Sequence, residues 1–169
     1  IETYNFQGYK NSIVGNHYCS FISPRIKEFV FGVIHRDRTI IDNMLARIVG
    51  FGPGLTPSAD DMLVGLMAAL YYLASYHGID VEVIPYFRKR LNDELINQTT
   101  LVSGQMLKAA VQGEFARSLK DLCIAMITTD DRRTIEGATQ EAINLGSTSG
   151  TDTVVGLLLG AYALNQFNN

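Results

Sequence analysis

The hydrophobic pattern changes character near residue 35. Before it, aromatic and β-branched residues alternate with polar ones in NSIVGNHYCSFI (11–22), and EFVFGVI (28–34) is a short apolar run, so both read as strands. ISPRIKE between them is interrupted by Pro24 and reads as a connection or a short helix. From His35 onward the period is helical: Ile40, Ile41, Met44, Leu45 and Ile48 form one stripe that stops at Gly50. Further helices are expected from Pro57 to His77, from Pro85 to Asn97 with Phe87, Leu91 and Leu95 inward, and around Met106, Leu107, Ala110 and Val111. Two more follow over 114–127 and 129–145, whereas IDVEVI (79–84) reads equally as a strand or a linker. The pattern predicts a mainly α chain of α+β type, a helical bundle domain with a small N-terminal β-sheet. Residues 1–34 are expected as a β segment of the same fold, and residues 35–169 as the helical domain.

Two stretches share one design. GFGPGLTPSADDMLVGLMAAL (50–70) and GSTSGTDTVVGLLLGAYAL (146–164) each run from a loop of small residues through an acid into a helix with interior glycines. With Gly65 set on Gly156, Ser58 meets Ser149, Asp61 meets Asp152 and Val64 meets Val155. A glycine inside a helix costs about 1 kcal/mol against alanine, so a close contact is expected to offset it. The expected contact sets Gly65 and Ala69 against Gly156 and Gly160, and a parallel arrangement would bring the two loops together. The similarity is compatible with an internal pseudo-repeat of loop-helix units.

The candidate chemistry lies in those loops. Thr56 before Pro57 fits an N-cap followed by proline at the first helical position. Ser58-x-x-Asp61 and Ser149-x-x-Asp152 equally fit capping boxes, and both registers remain open. The capping-box register leaves Asp60 free, which makes it the first candidate for chemistry; Asp61 and Asp152 complete the candidate catalytic acids. Backbone N–H groups at Gly52, Gly54 and Gly150, with hydroxyls of Thr56, Ser58, Thr148 and Ser149, suit a small anion. Thr99, Thr100 and Ser103 form a third hydroxyl cluster that either joins this site or caps a helix. Carboxylates so close to an anion call for a cation or a basic side chain between them, and Mg²⁺ on Asp60 and Asp152 is a candidate.

Composition excludes more than it adds. The 169 residues carry a net charge of −3 with scattered basic residues, so neither a nucleic-acid footprint nor a polybasic membrane patch is expected. The longest apolar runs fall short of the roughly 20 residues of a spanning helix. Cys19 and Cys123 match no zinc or redox spacing and are expected as reduced thiols of a cytoplasmic protein, with a lone disulfide as the alternative reading. His17, His35 and His77 show no metal spacing, and HRD at 35–37 matches a kinase triplet by letters alone. Ile1 is not a natural start, so upstream sequence is expected.

Both loop-helix stretches resemble the signature segments of the AllH-type family, and TT-x-x-S at Thr99 to Ser103 followed by LKAAVQG is similar to a third. The resemblance spans about Ala46 to Leu164. It implies a subunit of oxamate carbamoyltransferase in allantoin breakdown, working with larger partner subunits on a small anionic substrate, either a carbamoyl compound or phosphate. The reaction implied is oxalurate and phosphate to oxamate and carbamoyl phosphate. Two positions depart from the family pattern: Ala59 stands where glycine is common, and Ser147 where histidine is frequent. Two further readings of the loops are a non-catalytic structural partner subunit and a Mg²⁺-dependent hydrolase.

Overall fold

The two stretches of shared design form the two helices at the centre of the molecule. A computed structural model describes residues 17–79 and 82–167. Its elements are α1 (His17–Ile34), α2 (Arg38–Ile48), α3 (Ser58–Ala68), α4 (Ala74–His77), α5 (Val83–Asp93), α6 (Leu101–Val111), α7 (Arg117–Thr128), α8 (Arg132–Ile143) and α9 (Ser149–Phe167). α3 runs through a π-helical turn, Ala69–Leu73, into α4, where Gly78 ends the rod in a left-handed conformation.

Interior glycines let α3 and α9 touch backbone to backbone. A Cβ on Gly65 would stand 1.8 Å from Thr153 O, and one on Gly156 would stand 1.9 Å from Met62 O. Each glycine thus faces the carbonyl three residues before its counterpart, a reciprocal contact around an approximate two-fold axis along the pair. Gly160 lies against Ala69 and Leu66, where a Cβ would meet Ala69 Cβ at 2.5 Å. Contacts advance in the same direction along both helices, so the pair is parallel, the arrangement that brings the two loops together. Their N-termini lie side by side.

The other helices cover this pair. α6 packs on α3, α8 lies against α7 and α9, and α1 pairs with α2. Phe29 of α1 stacks on Phe87 of α5 with ring centroids 5.6 Å apart, which ties the N-terminal helix to the centre of the chain. Asp37 caps α2 by accepting from Thr39 N and Ile40 N, so the acid of the HRD triplet is a helix cap. No described helix is long and apolar enough to cross a membrane.

The expected N-terminal sheet is overturned. EFVFGVI and the end of NSIVGNHYCSFI lie in α1, and no strand occurs among the described residues. Residues 1–16, which hold the rest of that expectation, lie outside the described residues, as do residues 80 and 81 of IDVEVI. Ile22, Ile26, Phe29, Val30 and Val33 are buried at helical spacing. Alternation over a few residues cannot distinguish that stripe from a strand. Pro24, expected to interrupt the segment, sits inside α1. Arg25 Nη1 donates to Phe21 O at 2.6 Å, adding a donor to a carbonyl in the turn that the proline disturbs.

Gly156→Ala should lower stability by about 3 kcal/mol or more, because the new methyl meets a carbonyl fixed in the facing helix. Gly137→Ala, on an exposed stretch of α8 with open space at its Cβ, should raise stability by about 0.5–1 kcal/mol. Urea unfolding of the two variants checks both signs.

Candidate ligand site at two helix N-termini

The first loop is shaped by what it must pass. Gly50 (φ 75°) crosses residues 95–98 so closely that a Cβ would stand 2.5 Å from Gln98 O, and Gly52 (φ 132°) turns over Ser58 N. The helix that follows adopts neither register expected from the sequence. Pro57 is the N-cap, with ψ 136° and no side-chain cap, and Ser58 opens the helix. The first-turn donors are satisfied by backbone instead: Ala59 N bonds Phe51 O at 3.1 Å, and Asp60 N and Asp61 N both bond Pro57 O. A folded-back loop replaces the side-chain cap, which relieves Asp61 of any capping role.

Asp60, the first candidate, is buried and bonded on both oxygens. Gly50 N–H donates to Oδ1 at 2.8 Å, while Thr99 Oγ1 and Ser103 Oγ donate to Oδ2 at 2.5 and 2.6 Å. These donors fill three of about four acceptor sites on the carboxylate. Thr100 caps α6 by accepting from Ser103 N at 3.1 Å, and its hydroxyl donates to Leu55 O. Of the two readings of the hydroxyl cluster, Thr100 takes the capping one, while Thr99 and Ser103 anchor Asp60. Gly50 was absent from the sequence candidates because it reads as a helix stop, yet its N–H fixes this carboxylate. One acceptor site on Oδ1 is left, and among the described residues no group of three metal-ligating side chains converges.

Asp61 has the opposite surroundings. It is 0% exposed, and neither carboxyl oxygen has a hydrogen-bond partner. The hydroxyls of Thr56 and Ser149 lie beside it but bond each other at 2.7 Å, a link between the two loops across 93 positions of sequence. One of the two protons is used in that bond. Burial pushes the Asp61 carboxyl up to about 6 from an ordinary 3.8. The hydroxyls of Ser149 and Thr56 oppose that shift, and the charges of Asp152 and Asp60 add to it.

The second loop mirrors the first. Ser149 opens α9 as Ser58 opens α3, and Asp152 occupies the fourth helical position as Asp61 does. Asp152 is half-buried, its carboxyl raised by burial and held back by the Ser58 hydroxyl, so the two acid–serine pairings cross between loops. The structure thus brings together Asp61, Asp152, Thr56, Ser58 and Ser149. It sets three expected donors apart. Gly150 N is spent on Leu145 O at 2.8 Å, Gly54 is exposed with nothing within 4 Å of its Cβ position, and the Thr148 side chain is exposed. Gly150 serves packing, since a Cβ there would stand 2.3 Å from Ala142 O.

The family model described as oxamate carbamoyltransferase subunit AllH matches residues 48–161, a span containing both loops and the glycine contacts between α3 and α9. The chain belongs to this family. No solved structure matches it. As an AllH-family chain it is a subunit of an oxamate carbamoyltransferase, and partner chains are implied by that description. The junction of two loops is therefore placed within the part of the chain that defines the AllH family.

The two neighbouring acids should respond oppositely to removal of charge. Asp60→Asn sets an amide among donors and should cost about 1–3 kcal/mol. Asp61 binds its proton more tightly folded than unfolded, so its contribution to stability is largest below about pH 4 and is lost as pH rises through about 6. Asp61→Asn should accordingly raise the melting temperature at pH 8 and leave it nearly unchanged at pH 4.5. Thermal melts at the two pH values check this pair.

Proposed function

We propose that the junction of the two loops is the ligand site of an oxamate carbamoyltransferase and that this chain contributes it to the assembled enzyme. The reaction is phosphorolysis of oxalurate: the bond between the carbamoyl carbon and the oxamate nitrogen breaks, a phosphate oxygen bonds that carbon, and the departing nitrogen takes a proton. The observation that carries the reading is the Thr56–Ser149 hydrogen bond over a buried, unpartnered Asp61. Two loops distant in sequence converge on a buried carboxyl beside two hydroxyls, one of whose protons is spent on their own bond, so that it is left short of donors. In this reading the hydroxyls of Thr56, Ser58 and Ser149 turn from each other to the bound carbamoyl compound and stabilise charge developing on its oxygen. Asp61 and Asp152 orient its amino group, and Asp60 acts through the loop it holds.

In the reconstituted enzyme, Thr56→Val combined with Ser149→Ala should reduce turnover by about 10²-fold while the chain still assembles with its partners. Turnover at the wild-type level in an assembled variant would rule the junction out as the site.

One observation favours a structural role alongside. Leu55, Leu101 and Val102 are 73%, 81% and 47% exposed beside the loops, an apolar rim suited to contact with a partner chain. Leu101→Asp should then weaken co-purification with partner subunits and leave the melting temperature of this chain unchanged. Unaltered assembly would remove that role.

A further inference from the structure

We infer that the outward face of α9, formed by Thr151, Val155, Leu158 and Tyr162, seats a helix of a partner subunit in the position that α6 holds on α3. The inference needs neither the ligand reading of the junction nor the apolar rim at its edge.

The relation between the two central helices extends to their surroundings. α1 and α2 pack as one pair and α7 and α8 as another, and each pair sends its first helix to the opposite central helix, α1 to α9 and α7 to α3. α6 breaks this symmetry. It runs along α3 in the same direction, from Ser103 Oγ on Asp60 Oδ2 at 2.6 Å to Gly113, just past its end, where a Cβ would stand 2.4 Å from the Tyr71 ring. Along that line Asp60, Val64 and Met67 are buried, and Tyr71 continues the row into the π-helical turn. Among the described residues the matching place on α9 is open.

The offset that sets Gly65 on Gly156 also sets Asp60 on Thr151, Val64 on Val155, Met67 on Leu158 and Tyr71 on Tyr162. The valines and tyrosines are identical, and Met67 and Leu158 are both large and apolar. Burial separates the two rows. Val64 and Met67 are 7% and 5% exposed, whereas Val155 is half-buried and Leu158 and Tyr162 are 55% and 53% exposed. The row on α9 thus keeps the side chains of a covered face at the spacing of one helical stripe while facing water. Thr151 replaces the acid that α6 answers with hydroxyls, so the contact on α9 carries no charge. α6 itself buries small and apolar residues, Ser103, Gly104, Leu107, Ala110 and Val111, and a helix of that kind fits the equivalent row. The occupant is another chain of the enzyme, because the family description makes this protein one subunit and α6 of a second copy is committed to its own α3.

The test measures assembly with the enzyme's partner subunits for wild type, Leu158→Asp, Tyr162→Ser and, as a control, Ile124→Asp at an exposed apolar position on α7. Leu158→Asp and Tyr162→Ser should each weaken assembly by about tenfold or more, and Ile124→Asp by less than about twofold. The melting temperature of the isolated chain should stay within about 2 °C in all three. Hydrogen exchange of the partner subunits, free and assembled, should show new protection in one helical segment. Assembly unchanged in both α9 variants would overturn the inference, and protection confined to a partner strand or loop would overturn the helical occupant. A fall in melting temperature of about 4 °C or more in Leu158→Asp would mean that this chain covers the face itself. Self-association of the isolated wild-type chain, lost in Leu158→Asp, would assign the face to a second copy instead.

Discussion

The contact of Gly65 and Gly156 across the α3–α9 pair is the constraint on which the rest of the structure depends. Side chains at either position would separate two backbones that now meet with no room for a methyl group. The proximity is useful because the helices run parallel. Antiparallel helices would send the two loops to opposite ends of the pair, whereas parallel ones place both N-termini, both opening serines and both fourth-position acids together. The link from sequence to site passes through a packing contact with no chemistry of its own.

That geometry gives two adjacent carboxyls opposite fates. Asp60 points toward α6 and the start of the loop, where Gly50, Thr99 and Ser103 supply donors, so its charge ties three segments together. Asp61, one residue on and about 100° around the helix, points toward α9 and meets only hydroxyls already bonded to each other. Burying an acid without donors opposes folding at neutral pH. Its retention at the junction is intelligible if a ligand supplies the missing hydrogen bonds, a role that stability alone does not require. The neighbouring Asp152 adds charge of the same sign and sharpens the preference for a ligand bearing donors.

Much of this was legible in the sequence because it rests on spacing. The offset that sets Gly65 on Gly156 also sets Ser58 on Ser149 and Asp61 on Asp152, and the structure gives each of these pairs the same helical position. The helices from Arg38 onward follow from apolar period and glycine stops. The N-terminal expectation failed because EFVFGVI is too short to separate a strand from a buried helix face, and because Pro24 is accommodated inside α1. The choice between the acids could not be read from local order. A capping box implied a bonded Asp61 and a free Asp60, but Phe51 O and Pro57 O satisfy the first turn and reverse the two. Such a reversal depends on how the loop folds back on its own helix, which no nearest-neighbour pattern encodes.

The account stands on Asp61 being a buried carboxyl short of protein donors at the meeting of two loops. Its most direct test is a ¹³C NMR titration of the Asp61 side-chain carboxyl in the folded protein without ligand. A midpoint near 6 agrees with the structure. A midpoint at or below 3.8, the ordinary value, would mean that donors or solvent reach both oxygens, and it would contradict the account.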